Sequence, residues 1–358
     1  MVMPNQIRSA RESLRLDTQE VATALNLNED QLKAWESGAA TPTIEQLWQL
    51  ADFYSRDVDY FLTEALPIPV ELSFRFTEGR SIEQLSIENR RLIARFDELC
   101  RAQIELEETL NEPRKVEIAR VTDKIEPEEL ARRERVRLGK DNRPIKDVRE
   151  ILEKQGVRIF ELDIPESIFS GLSWWHSTYG PCILANYSDT RGRRNFTLSH
   201  EYCHLLLEHG PTACDIEFDY ARGSGEECIA NRFAAAFIMP ATDLREEFRK
   251  RQLSETMTDK ELGNLAGRYG ASLEAMGRRL EVLGLVHRGF VDNRIERWKT
   301  QRRFWGWGRR TPKWQKQLGD RFVHGALRAH SEGQISLATL SHYLGVDIRE
   351  AYRVVHEK

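Results

Sequence analysis

LSHEYCHLLLEHG, residues 198–210, sets His200-Glu201-Tyr202-Cys203-His204 inside a run of leucines. Apolar residues recur there at helical spacing, and residues four apart on a helix are offset by only about 40°, so His200 and His204 leave from one face. Leu198, Tyr202, Leu205 and Leu206 form an apolar stripe on the far side. That stripe predicts a helix docked on the core with both imidazoles turned toward a cleft. Asn195 or Thr197 is placed to cap its start, and Gly210-Pro211 to end it. Two histidines at this spacing around a Glu can hold a zinc ion beside a general base. The competing reading is a structural or surface pair of histidines on an ordinary helix.

A catalytic zinc needs three protein ligands and an open fourth position. Glu227 opens a second helical run, EECIANRFAAAFIMP (226–240), which Pro240 stops. Its Ala230, Asn231 and Ala234 are small and predict close packing on the HEYCH helix, so a carboxylate at Glu227 completes a His2Glu set. Glu226 is the next candidate, then Asp215 or His209. Glu227 also suits a helix N-terminus simply by complementing its dipole.

Working outward, VRIFELDI (157–164), GLSWWHS (171–177) and CILANYS (182–188) are β-branched and aromatic runs divided by Gly and Pro, which predict a small sheet before the HEYCH helix. Helical patterns at 127–139 and 146–156 precede it. Residues 241–290 and the C-terminal stretch are helical again, each with a helix-turn-helix rhythm. At the other end, residues 1–65 predict five short helices, with Thr18, Asn28 and Thr43 as caps and Gly38 as a break, the helix-turn-helix pattern. Pro67 and Pro69 mark the exit from this segment, and a connecting helix is expected from about Ile82 to Leu110. The expected fold is therefore α+β: mainly α with one small sheet. Its segments are 1–65 (all-α), 66–125 (linker and connecting helix), 126–240 (the histidine-bearing domain), 241–290 and 291–358 (both helical).

With 358 residues, 40% hydrophobic and 31% charged, the chain reads as soluble and multi-domain. No run approaches the roughly 20 apolar residues that span a bilayer, which points to the cytoplasm and away from a membrane. Five cysteines without a C-x-x-C pair argue for reduced thiols. Charge is uneven. Residues 1–65 hold five basic and eleven acidic side chains, whereas residues 294–316 hold nine basic and one acidic. The second stretch interleaves Arg302, Arg303, Arg309 and Arg310 with Trp305 and Trp307, a composition suited to phosphate and base contact, to an acidic protein partner, or to a loop anchored by its aromatics. In the first, Thr18, Gln19, Asn28, Gln31 and Lys33 are the residues placed to meet DNA, although the opening Asn28-Glu29-Asp30 of the would-be recognition helix repels a duplex.

The N-terminal segment resembles the Xre/Cro-type helix-turn-helix family through Thr18-Gln19-Glu20, Ala22, Leu25, Trp35-Glu36-Ser37-Gly38, Pro42-Thr43 and Leu47. The central segment resembles the ImmA/IrrE family of zinc metallopeptidases. The family's F-T-x-x-H-E-x-x-H falls on Phe196, Thr197, His200, Glu201 and His204, its E-x-x-A-N-x-F-A on Glu227, Ala230, Asn231, Phe233 and Ala234, and its M-P on Met239-Pro240. Cys203 stands where the family often has Gly, and Ile229 where it often has a second carboxylate. The first departure sets a thiol near the metal-binding face, which raises redox control through Cys203 or Cys228 beside the simpler reading of a small buried side chain.

The resemblance implies a zincin-like domain with one catalytic Zn2+ on His200, His204 and Glu227. Glu201 is then the base that takes a proton from water and passes it to the leaving amine. No motif names the group that faces the oxyanion, for which Tyr187, His209 and Tyr220 are the candidates, and the short strands could hold an extended substrate by strand addition. Relatives of this kind cut transcriptional repressors and switch on stress, mobile-element or defence genes, so the expected partners are a repressor-like protein substrate, operator DNA through residues 1–65, and a toxin protein. The rival expectation is a transcriptional regulator or antitoxin-like binding protein that keeps the zinc fold without proteolysis.

Overall fold

The structure is a computed structural model and describes residues 2–63, 75–76, 82–122, 124–141, 143–165, 169–207, 212–214, 225–301 and 313–356. In chain order its helices and strands begin with α1 (Pro4–Ser13), α2 (Thr18–Leu25), α3 (Glu29–Ser37), α4 (Ile44–Tyr54), β1 (Arg75–Phe76) and α5 (Ile87–Thr109). The middle of the chain gives α6 (Pro127–Arg137), α7 (Val148–Lys154), β2 (Arg158–Leu162), β3 (Gly171–His176), β4 (Gly180–Asn186), α8 (Arg191–Leu207), β5 (Thr212–Cys214) and α9 (Glu226–Ile238). It closes with α10 (Ala241–Lys250), α11 (Asp259–Tyr269), α12 (Leu273–Val282), α13 (Ile295–Gln301), α14 (Lys313–Leu318), α15 (Asp320–Ser331), α16 (Leu337–Leu344) and α17 (Ile348–His356). The architecture is α+β. The chain divides into two compact units, one of residues 1–74, 79–114 and 313–358, the other of residues 75–78 and 115–312.

In the first unit, α1 to α4 and the short turn Val58–Phe61 close over Ile7, Leu14, Val21, Leu32, Trp35, Leu50 and Phe61, all buried. Each such side chain contributes about 1.5–3 kcal/mol when taken fully out of water. Asn28 and Thr43 cap α3 and α4. The cap of α2, however, is Asp17 and not Thr18: the Asp17 carboxylate accepts from Glu20 N at 2.7 Å while the Glu20 carboxylate accepts from Asp17 N at 2.8 Å, a reciprocal pair a hydroxyl at position 18 cannot make. The connecting helix starts later than Ile82, because Ser86 caps it and Ile82–Gln84 is a 3-10 turn. Its buried face carries Ile93, Phe96, Leu99 and Leu106, and α15 packs against it.

The second unit is built on a five-stranded sheet of order β1-β5-β3-β4-β2. β3 runs antiparallel to both β4 and β5, whereas β2 is parallel to β4 and β1 to β5. Strands read from composition at 157–164, 171–177 and 182–188 are β2, β3 and β4. β3 is flanked on both sides over Gly171–Ser173, so it offers no open edge there for strand addition. α8 packs on β3 and β4, and α9 packs on α8 and α6. One hydrophobic core runs from Leu130 through Tyr202, Phe233 and Phe237 to Leu265, Leu280 and Trp298, so α10 to α13 share the interior of the histidine-bearing segment.

Candidate metal centre

α8 begins at Arg191, earlier than either expected cap. Asn195 lies inside the helix, where its side chain donates to Lys146 O at 3.1 Å and Gly270 O at 2.8 Å and so ties α8 to the α7 and α11 ends. Thr197 is buried within the helix as well. On the far face Tyr202 donates to Glu134 Oε2 at 2.8 Å and accepts from Arg137 at 3.0 Å, fixing the rotation of α8 against α6. The apolar stripe docks as expected, with Leu198, Tyr202, Leu205 and Leu206 in the core. The histidine face is covered too. His200, Glu201 and His204 are 0%, 0% and 1% exposed, and Glu227 and Asn231 of α9 stand against the two imidazoles. Solvent reaches the group at Glu227, whose side chain is 29% exposed.

Three donor atoms converge beneath α9. His200 Nε2 and His204 Nε2 lie 3.1 Å apart, His200 Nε2 is 3.2 Å from Glu227 Oε2, and His204 Nε2 is 3.6 Å from Glu227 Oε1. Tetrahedral ligands bound at about 2.0–2.1 Å stand roughly 3.3 Å from one another, a spacing that the two imidazoles and the two Glu227 oxygens approach. Among the described residues, His200, His204 and Glu227 are the group of three able to hold a metal ion. Glu226, one position earlier, is exposed and outside it. Asp215 and His209 lie outside the described residues, as does Tyr220, and Tyr187 has its ring covered by the Arg194 guanidinium at 5.0 Å.

Asn231, one turn along α9 from Glu227, places Oδ1 2.9 Å from His200 Nδ1 and is 8% exposed. An amide oxygen there accepts Nδ1–H, which leaves the Nε2 lone pair pointing at His204 Nε2 and the Glu227 carboxylate. Facing donors of this kind repel unless a cation or a proton stands among them. Burial alone lowers the His200 pKa, but the hydrogen bond to Glu227, the nearby Glu201 and Glu227 charges and Asn231 outweigh it and hold the group above its ordinary value. A cation bound there substitutes for that proton. Sequence spacing named Asn231 only as a small residue; its place four positions after Glu227 was the available signal. Asn231→Ala is expected to lower zinc affinity about 10–100-fold with the fold retained, as checked by competition against a metal-binding dye.

Cys203 is fully buried, and its thiol is pushed well above the ordinary range by burial and by the Glu227 and Glu201 carboxylates. A protonated, enclosed thiol behaves as a small core side chain, the simpler of the two readings of Cys203.

In the helix-turn-helix, the residues placed to meet DNA are engaged locally. Thr18 donates to Glu29 at 2.5 Å, Lys33 pairs with Glu29 at 2.8 Å, and Asn28 Oδ1 accepts from Asp30 N at 2.8 Å as the α3 cap. Gln19 is exposed and Gln31 half-buried. Each of the five cations of this segment has a carboxylate partner: Arg8 and Arg11 share Glu36, Arg15 pairs with Glu83, Lys33 with Glu29 and Arg56 with Glu98. Arg302, Arg303, Trp305, Trp307, Arg309 and Arg310 lie outside the described residues.

Among the described residues no helix is long and apolar enough to cross a membrane. No curated protein matches the chain. Two family models do: the helix-turn-helix family over residues 7–61, and the peptidase family described as the IrrE N-terminal-like domain over residues 152–281, which includes β2, β3, β4, α8 and α9. The chain therefore carries an IrrE N-terminal-like peptidase domain joined to an N-terminal helix-turn-helix domain.

Proposed function

We propose that the protein is a zinc-dependent regulatory endopeptidase. The observation that carries this reading is the convergence of His200, His204 and Glu227 on one point, with Glu201 adjacent to His200 on the same buried helix. A zinc ion held by these three residues would polarise a carbonyl and lower the pKa of a bound water to near 7. Asn231 fixes the His200 tautomer. Glu201 accepts the proton of the attacking water and returns it to the leaving amine nitrogen. The substrate class is a transcriptional repressor or similar regulator in a stress, mobile-element or defence system of the cytoplasm, with the helix-turn-helix bringing the peptidase to operator DNA or to a protein partner there.

A second reading follows from the paired cations of residues 2–63. With each of its five cations facing a carboxylate and eleven acidic side chains in residues 1–65, the N-terminal domain suits protein contact better than a duplex, as in an antitoxin-like regulator that holds a toxin and keeps the zinc fold without cutting. Comparing wild type with Glu201→Gln separates the two. Transcription from the neighbouring promoter and the abundance of the local repressor differ between them if the protein cuts; identical values would sink the peptidase and favour the binding protein.

A further inference from the structure

The strand β3 runs close against α8 at Gly171. A Cβ at that position would stand 2.5 Å from Thr197 Cγ2, 2.8 Å from Glu201 Oε1 and 3.0 Å from Glu201 Cγ. The backbone here is ordinary strand, outside the left-handed region, so glycine is required for space and not for conformation. Neither wall of the gap can yield. Gly171 is paired to Ala185 of β4 on one side and to Cys214 of β5 on the other, which pins the strand. Thr197 is a β-branched residue on α8 and 1% exposed, so its methyl has little room to withdraw. Of the atoms around the gap, the far end of Glu201 moves most readily.

We infer that Gly171 is a positioning residue for Glu201: its bare backbone is the seat against which the Glu201 carboxylate rests, and it keeps that carboxylate aimed toward the His200–His204–Glu227 set. The inference rests on the reading of Glu201 as the base. Adding one methyl group at position 171 meets Thr197 Cγ2 and drives Oε1 off its seat, and Thr197→Ser relieves the first contact without restoring the second. A misplacement of about 1 Å in a reacting group costs on the order of 100-fold in rate.

The test uses the full chain loaded with zinc, with kcat and KM measured on the fastest-cleaved member of a quenched fluorescent peptide library. Gly171→Ala is expected to lose roughly 100-fold in kcat with KM and zinc affinity unchanged. Gly171→Ala/Thr197→Ser removes the nearest clashing methyl, so its melting temperature returns toward the wild-type value while kcat stays low. Recovery of kcat together with stability would reduce Gly171 to a packing residue and overturn the inference, as would an unchanged kcat in the single variant. A crystal structure of whichever variant folds reads the carboxylate directly: a displaced Glu201 upholds the seat, and an unmoved one overturns it. This arm does not depend on cleavage. If wild type and Glu201→Gln behave alike on every peptide, the peptidase reading fails by itself, and the position of Glu201 still decides the role of Gly171.

Discussion

Glu201→Gln is expected to purify with as much zinc as the wild type and to hydrolyse peptide roughly 10²–10⁴-fold more slowly, the span that a positioned general base contributes. His204→Ala is expected to fail at the earlier step, losing the metal and with it all turnover. The two residues differ because of where their atoms point. His204 supplies an Nε2 within 3.1 Å of His200 Nε2 and 3.6 Å of the Glu227 carboxylate, so its removal opens one corner of the donor triangle. The remaining His and Glu make a two-ligand site, and the loss in affinity should exceed the roughly 10–100-fold assigned to an outer hydrogen bond such as that of Asn231. Glu201 lies outside that group of three, is 0% exposed, and has Gly171 against its carboxylate. Elemental analysis of the purified variants together with single-turnover kinetics distinguishes the two failures. Unchanged zinc content in His204→Ala would refute the donor set as drawn, and unchanged hydrolysis in Glu201→Gln would remove the base.

The two histidines and the glutamate between them were legible because a helix converts a spacing of four into a shared face. Strands β2, β3 and β4 were legible because their β-branched and aromatic runs end at Gly and Pro. Local rules fail where two neighbouring residues compete for one task. Asp17 and Thr18 both carry an oxygen able to cap α2, and only the return bond from Glu20 decides between them. They fail again where the partner is distant in sequence. Nothing in NFTLSHEYCH says that Asn195 will be drawn to Lys146 and Gly270, or that Gly171 will press on Glu201. β1 and β5, at two and three residues, are too short to carry a period at all. The acidic balance of residues 1–65 was visible as a count, but the pairing of every cation in it required the fold.

The largest expected loss of stability lies in the first unit, at Glu98 on α5. Its carboxylate is 1% exposed and receives Arg56 at 2.9 Å, Arg101 at 2.5 Å and His342 Nε2 at 3.5 Å, so it joins the helix-turn-helix to α16 through one buried anion. Burial by itself would raise its pKa, yet Arg101, His342 and Arg56 prevail and hold it well below the ordinary carboxylate range. Glu98→Ala leaves the Arg56 guanidinium, 5% exposed, without its counter-charge, and breaking a buried pair in this way costs about 3–5 kcal/mol. That is a large part of the 5–15 kcal/mol by which a typical domain is stable at all. The pH dependence has a definite sign. Because the folded-state pKa is depressed, the stabilisation is complete above the unfolded-state value near 4.3 and is lost as pH falls through the folded-state value. Urea midpoints of the wild type should therefore drop below about pH 4 in a way that Glu98→Gln does not follow. Hydrogen exchange places the effect: amides of α4, α5 and α16 should lose protection in Glu98→Ala, while zinc binding on α8 and α9 persists. A loss below about 1 kcal/mol would mean that the pair behaves as an exposed ion pair, and that α5 is held to α16 by its apolar contacts alone.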